Sequence, residues 1–424
     1  MAGQVTGAGG VYLTDDMIIN EAMFQYKNNL VACRNVYRDL EKRVVNGVGD
    51  QISVKKPFRS KSVEGRTLGK SALVDNSVTL VISRQRNVGL EFTLQDRTLS
   101  IQAFSERYIM PAIGEIATQV DKSIFDAANE ATYFTTGTLG AALTHTSVMF
   151  TKADLNNVGI PDDGNRKAML NEMDAANISS AVSALFNPTL VSDSVKKGYV
   201  GPLSGFETFS SQLVPTHTVG AHGGTPLSSG GVDQTGASIL TDGWTASVTG
   251  LLKKGDTLTF AGVFEINPIT YESTGRLQSF VVTADVNSSA GGLATIPISP
   301  SINDGTLTTT DTEGNSVSLA AYQNVSAPIA DGAAIVVNGI ASGIYRQNFY
   351  WHKNAIGFAM VDLYLPESAA SASRVRDADT GLSLSLTKDY DITNHKEVTR
   401  LDALWGVKVM NPELIFRNLA QKIN

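Results

Sequence analysis

The chain of 424 residues holds one cysteine, Cys33, and five scattered histidines. A single thiol excludes an internal disulfide and any zinc cluster built on cysteines, and in its apolar-periodic surroundings Cys33 reads as a small buried hydrophobe. Only His217 and His222 lie close together. Five positions apart in a Thr- and Gly-rich loop, with no carboxylate beside them in sequence, they fit neither a helical face nor a metal-ligand spacing. Long apolar runs are also missing: no segment approaches the roughly 18–20 uninterrupted apolar residues of a membrane span, so no membrane partner is expected. The opening MAGQVTGAGGVYLTDD has neither an early Lys or Arg cluster nor an apolar stretch, which argues against a secretory signal and predicts synthesis in the cytoplasm.

Catalytic patterns are absent too. In GRTLGKS at 65–71 three residues separate the glycines where a phosphate-cradling loop needs four, and Glu64 stands where the first glycine belongs. Neither a G-x-S-x-G turn nor an H-E-x-x-H helix occurs. The paired carboxylates Asp162 with Asp163 and Asp377 with Asp379 sit in polar, turn-like stretches and read as solvated loop residues. The expectation is a protein that is not an enzyme, with no catalytic residue, no cofactor and no metal.

What is present is charge of two signs in separate places. Residues 27–70 hold eleven Lys and Arg against four Asp and Glu, whereas 224–344 hold three against ten, within a net charge of -7. Opposed segments of this kind suit contacts between identical copies, because complementary fields fix partner and register. The candidate contact residues are Lys55, Lys56, Arg59, Lys61, Arg66 and Lys70 on the basic side, and Asp304, Asp311 and Glu313 on the acidic side. Phe58 alone interleaves the basic run with an aromatic ring, so the pattern favours protein contacts over nucleic-acid recognition.

At this length one core does not suffice, since single cores stop growing near roughly 250–300 residues. Apolar spacing from Ile18 to Leu40 predicts a helix over 15–45 opened by Thr14 as N-cap. Residues 50–94 read as a two-stranded excursion with a polar, basic loop between. A helix over 100–131, about 45 Å long at about 1.5 Å per residue, is expected with a bend near Pro111. Mixed short elements follow to 223. From 224 to 344 the composition shifts to Gly, Ser, Thr and Val with alternating runs, which predicts a small all-β barrel or sandwich inserted into the preceding unit.

Several of these segments resemble a known family. GDQISVKKPFRSK at 49–61 is similar to the strand opening the extended loop of tailed-phage capsid proteins with the Hong Kong 97 fold, and KGYVGPLSGFETFSSQLVPTHTVG at 197–220 to the stretch leaving their axial domain. VTGLLKKGDTLTFAGVFEINP at 248–268, with QSFVVTADVNSSAGGLATIPISPSI after it, resembles the inserted β domain of coat proteins from short-tailed phages of enteric bacteria. Segments 348–366 and 390–412 resemble that group's closing stretches.

The resemblance implies an α+β Hong Kong 97-type capsid fold divided into an N-terminal arm (1–48), an extended loop (49–95), a peripheral domain with spine helix (96–149), an axial domain (150–223 and 345–395), an inserted β domain (224–344) and a C-terminal peripheral segment (396–424). It implies a major capsid protein that forms hexamers and pentamers of an icosahedral shell, binds a scaffolding protein during assembly, meets a portal protein, and encloses double-stranded DNA without sequence-specific binding. Some relatives crosslink a loop Lys to a neighbour's Asn, for which Lys61 or Lys70 and Asn411 are conceivable equivalents, but the group with the inserted domain is not known for it. Other readings are a carbohydrate-binding or adhesive surface protein, suggested by the Gly- and Thr-rich β region, a cellular nanocompartment shell protein, and an enzyme with a β accessory domain. Deleting about 300–316 is expected to weaken particles more than it unfolds subunits.

Overall fold

The structure, a computed structural model, describes residues 15–40, 50–61, 66, 76–93, 110–183, 202–310, 314, 316–377 and 381–423. Within them the α+β class holds: helices α1 (Asp15–Asn29), α2 (Met110–Ala131), α3 (His145–Asn157) and α4 (Glu172–Ser183) accompany a far larger set of strands.

Helix α1 is shorter than its apolar spacing predicts. It ends at Asn29, while Thr14 and 41–45 lie outside the described residues. The cause is Asp121 on α2. Its Oδ2 accepts the N–H groups of Val31 at 2.7 Å and Ala32 at 3.1 Å, and its Oδ1 accepts that of Cys33 at 3.0 Å. Three successive N–H groups thus leave the helical ladder for one carboxylate. Burial pushes this carboxyl up and the three donors pull it back. Leu30, Cys33 and Leu40 are buried as their spacing implies, although no helix joins them.

Helix α2 turns Ile113, Ile116, Val120, Ile124 and Phe125 inward, a stripe at steps of three and four. Its 22 described residues span about 33 Å. Residues 100–109, the stretch before the bend expected near Pro111, lie outside the described residues, and Pro111 itself is the second described residue of the helix. The helix packs on a sheet of β17 (Ile356–Val361), β20 (Lys396–Val409), β19 (Ser383–Asp391) and β18 (Ser371–Arg376), in that order, with β3 (Arg84–Thr93) also paired to β20. Trp405 of β20 donates its Nε1–H to Ser123 of α2 at 3.0 Å. The excursion expected over 50–94 is therefore divided: β1 (Gln51–Lys55) pairs with β2 (Ser77–Val81), whereas β3 joins β20 over ten residues.

A second, mixed sheet runs β4 (Phe134–Thr136), β21 (Ile415–Ile423), β16 (Ile344–His352), β5 (Arg166–Leu170), β6 (Glu207–Ser210), with β7 (Thr216–Thr218) on β16. Its aromatic residues Phe134, Tyr350 and Phe416 share a buried cluster with Val148 and Leu155 of α3 and Ala175 and Ile178 of α4. The two sheets are not independent, because β16 runs on into β17 and β20 into β21 through adjacent 3-10 turns, Lys353–Ala355 and Pro412–Leu414. Those turns are clamped by Met410 N–H and Asn411 N–H, both donating to Ala355 O at 2.8 and 3.0 Å. Strands within 345–395 and within 396–424 are accordingly shared between the sheets.

The chain leaves the mixed sheet at β7 and returns at β16, and these two strands are partners, Thr218 opposite Ile344. Val219 N–H donates to Gly343 O at 2.9 Å and Ser342 N–H to Gly220 O at 3.1 Å, so exit and return run side by side. Gly220 is required there, since a Cβ would meet Leu251 O at 2.3 Å. Between them β15 (Ile335–Val337), β10 (Thr257–Ile266), β11 (Ser273–Val282), β12 (Ala294–Ile302), β9 (Gly236–Trp244) and β8 (Gly224–Ser228) form one sheet in that order. Leu227 bridges Ala334, which brings β8 back to the β15 edge and closes the sheet into a barrel. Among the described residues the buried cluster of the barrel interior is drawn from 239–335, with Ile239, Phe260, Phe280, Ile296 and Val325 in it and Val337 packed against it. A separate two-stranded hairpin, β13 (Thr308–Thr310) and β14 (Ser316–Ser318), stands off it.

Candidate inter-subunit contact site

The β1–β2 ribbon buries Ile52 and Leu80 together with Leu40, Ile82, Ala359 and Met410. Its root crosses β20 where Gly406 allows close approach, a Cβ there falling 2.5 Å from Val81 O. Lys56 N–H extends the ladder to Asn76 O at 2.7 Å, and Pro57, lacking an N–H, ends it. Beyond Pro57 the chain crosses a cleft of about 700 Å³ between the sheets and the barrel, with the buried residues Tyr133 and Glu265 in its lining.

Two of the sequence-predicted residues, Lys56 and Arg59, line this cleft, and Lys61 stands beside a tyrosine of the adjoining pocket. Arg59 Nη2 lies 2.8 Å from Glu413 Oε2, in the turn between β20 and β21. The backbone N–H of Arg59 points to Tyr322 Oη at 3.5 Å, and Lys61 Nζ stands 4.6 Å from the ring centre of Tyr271, both tyrosines belonging to the barrel region. Lys56 lines the same cleft; partial burial lowers its pKa while Glu413 pulls it up. Burial pushes the Glu265 carboxyl up, and Arg276, at 3.3 Å, pulls it down.

Of the others that the structure describes, none lines the cleft. Lys55 and Arg66 are exposed. Asp304 caps its own turn, accepting from Thr306 N–H at 3.1 Å and Thr306 Oγ1 at 2.6 Å. Lys70, Asp311 and Glu313 lie outside the described residues. Sequence reasoning missed Glu413, Tyr271 and Tyr322. The acid that Arg59 finds lies in the C-terminal segment rather than in the acidic 224–344 stretch, and no one-dimensional spacing links positions 354 residues apart. It also missed the exposed apolar side chains Met149 and Phe150 of α3 and Met173 of α4.

The barrel is tied to the sheets by a buried polar junction. His217 of β7 approaches Asp256 Oδ1 with its Nε2 at 2.6 Å, and Asp256 Oδ2 accepts the N–H groups of Gly220 at 3.0 Å and Lys253 at 2.7 Å. The fold thus supplies the carboxylate neighbour that His217 lacks in sequence. His222 instead lies 3.1 Å from Gly339 O. Arg417 of β21, fully buried, donates to Gly255 O and, at 3.2 Å, to Asn129 Oδ1 of α2. Burial lowers the pKa of His217, against the pull of Asp256. A second tie joins Arg276 of β11 to Asp154 of α3 at 2.8 Å.

Among the described residues no group of three or more His, Cys, Asp or Glu could hold a metal ion, and no helix is long and apolar enough to cross a membrane. What the geometry offers is a surface for macromolecular contact.

The family model of the P22 coat protein, gene protein 5, matches residues 13–419. A major capsid protein of Acyrthosiphon pisum secondary endosymbiont phage 1 is 23% identical over 428 residues, covering 94% of this chain and 96% of its own. Among solved structures, one of Mycobacterium phage Che8 covers 92% of this chain and 90% of its own at 13% identity and a TM-score of 0.46. The capsid of Ralstonia phage GP4 covers 93% and 89% at 7% identity and a TM-score of 0.44.

Proposed function

The chain belongs to the P22 coat protein family and is a shell-forming capsid protein of a phage virion, and on that premise we propose that it builds an icosahedral shell as hexamers and pentamers around double-stranded DNA. The observation that carries this reading is the family match over 13–419, nearly the whole chain. A scaffolding protein and a portal protein are its partners in assembly, which takes place in the host cytoplasm, and it works without catalysis.

The division of labour follows the expected segments. The barrel, with its own core and its paired exit and return strands, supports the assignment of 224–344 as an inserted domain of a Hong Kong 97-type subunit. The outer part of the extended loop, beyond the β1–β2 root, lies over an adjacent subunit, with Lys55, Lys56, Arg59, Lys61, Arg66 and Lys70 supplying its cations and Asp304, Asp311 and Glu313 marking an acidic contact on the insertion. Each such contact is worth roughly 0–1 kcal/mol when exposed, and closure of the shell comes from their number. Helix α2 is the spine of the peripheral part, and the strands shared between the two sheets make peripheral and axial parts one mechanical unit.

Negative-stain electron microscopy of the protein expressed with its scaffolding protein tests the proposal. Closed shells of uniform size are expected; a persistent monomer under the same conditions would overturn it.

A further inference from the structure

We propose that the cleft lined by Glu413 and Tyr322, with Tyr271 in the pocket beside it, is the receptor for the basic segment 55–61 of a second copy of this chain, and that the free subunit seats its own segment there until assembly exchanges one for the other. This rests on the shell-forming reading above and adds the identity of the receptor.

The first argument is the contrast between the root and the end of the segment. The root is fixed by the buried cluster of Ile52, Leu80 and Ile82 and by the close approach at Gly406. Beyond Pro57 the described contacts are shallow: Arg59 and Glu413 each keep 36% of their side-chain surface exposed, and Phe58 stays exposed. The ion pair is open to solvent and the Lys61–Tyr271 contact is only partly buried, so the seated end is replaceable while the root is not. Pro57 ends the ladder of the ribbon, so residues 58–61 can leave the cleft while the root keeps its buried cluster.

The second argument is charge. Among the described residues lining the cleft, the cations are Lys56 and Arg59, both from the segment itself, while the anions are Glu265 and Glu413 from the walls. Withdrawal of the segment leaves Glu413 without its cation, beside Tyr133 and Tyr322, whereas Glu265 keeps its pair with Arg276. A surface of that chemistry fits a short basic segment, and an identical one is present on every copy. Exchange of an element between protomers re-forms the same contacts at low cost, and closure of many copies outweighs the advantage of the internal contact.

A double variant, Arg59→Cys with Glu413→Cys, treated with a short bis-maleimide, reads the exchange. Cys33 is buried and stays out of the reaction. Free subunits are expected to give an internally linked monomer band, and purified particles a loss of that band with a ladder of dimers and higher species. An internally linked monomer from both preparations, or no link in particles, would overturn the exchange. If the double variant fails to fold, Arg59→Glu and Glu413→Arg chains replace it. Each alone is expected to lose particle yield and the co-expressed pair to regain it, whereas no recovery on mixing would sink the proposal. Absence of particles from the unmodified chain would instead overturn the shell-forming reading itself.

Discussion

The barrel and the two-sheet body solve the burial problem in opposite ways. Among the described residues the buried barrel cluster is drawn from 239–335, whereas the main body cluster runs from Ile19 to Ile415 and draws on α1, α2 and both sheets. The barrel can keep its interior whatever the body does; the body is complete only when both ends of the chain have arrived. A subunit that joins a shell gains from this arrangement, because a self-contained unit can be presented by the body without being rearranged by it.

Core truncations give the sharpest test. Trp405→Ala removes a ring that is 1% exposed and bonded to Ser123, and Phe280→Ala removes a fully buried ring packed against Phe260 at 5.6 Å. Each is expected to cost about 3–5 kcal/mol. By native-state hydrogen exchange the first should lower protection in β20 and α2 and spare the barrel, and the second the reverse. Equal loss in both regions from either variant would break the comparison.

The junction is where the two regions should respond together. Asp256→Asn weakens the bond to His217 and those to two backbone N–H groups, at about 2–3 kcal/mol. Calorimetry should show both unfolding transitions shifted, unlike the single shifts of the core variants. The same junction carries a pH dependence. Because burial holds the folded-state pKa of His217 below its unfolded value of about 6.5, the unfolded chain binds more protons in between, and stability falls as pH drops below about 6.5. His217→Asn, which can still donate to Asp256 but cannot titrate, is expected to lose that part of the slope between pH 8 and pH 5.5. An unchanged slope would detach His217 from it.

Smaller still is the effect expected at the turn after α1. Asp121→Asn replaces one acceptor oxygen with a donor and should cost about 1–3 kcal/mol in the body, with exchange of Val31, Ala32 and Cys33 amides speeding up most.

The sequence reveals what repeats at fixed spacing and hides what depends on a distant partner. Alternation between 224 and 344 is local, and the strands Gly224–Val337 lie where it points. The stripe Ile113 to Phe125 is local as well. Nothing near Val31 announces that Asp121, some ninety positions on, takes its N–H and ends the helix. The contact site divides in the same way: the cations of 55–61 are legible as a run, but their partners, Glu413 and two tyrosines, are assembled only by the joint of β20 and β21 with the barrel.

The hairpin β13–β14 belongs to the barrel in sequence but not in packing, and this sharpens the deletion expected at 300–316. Ile302 is fully buried in the barrel core, and Asn303 donates to Asn324 Oδ1 and Leu319 O and accepts from Asn324 N–H, so a cut at 300 would open the core itself. Residues 304–318 are the separable piece, since β13 and β14 pair only with each other. Their replacement by a short Gly-Ser link is expected to change the barrel's melting by no more than about 1 kcal/mol, since exposed contacts contribute at most that much. Particle yield should fall, because a hairpin that contributes nothing to its own core is available to a neighbour. Melting and assembly are measured on the same preparation, and an equal loss of both would mean that the hairpin belongs to the barrel's stability after all.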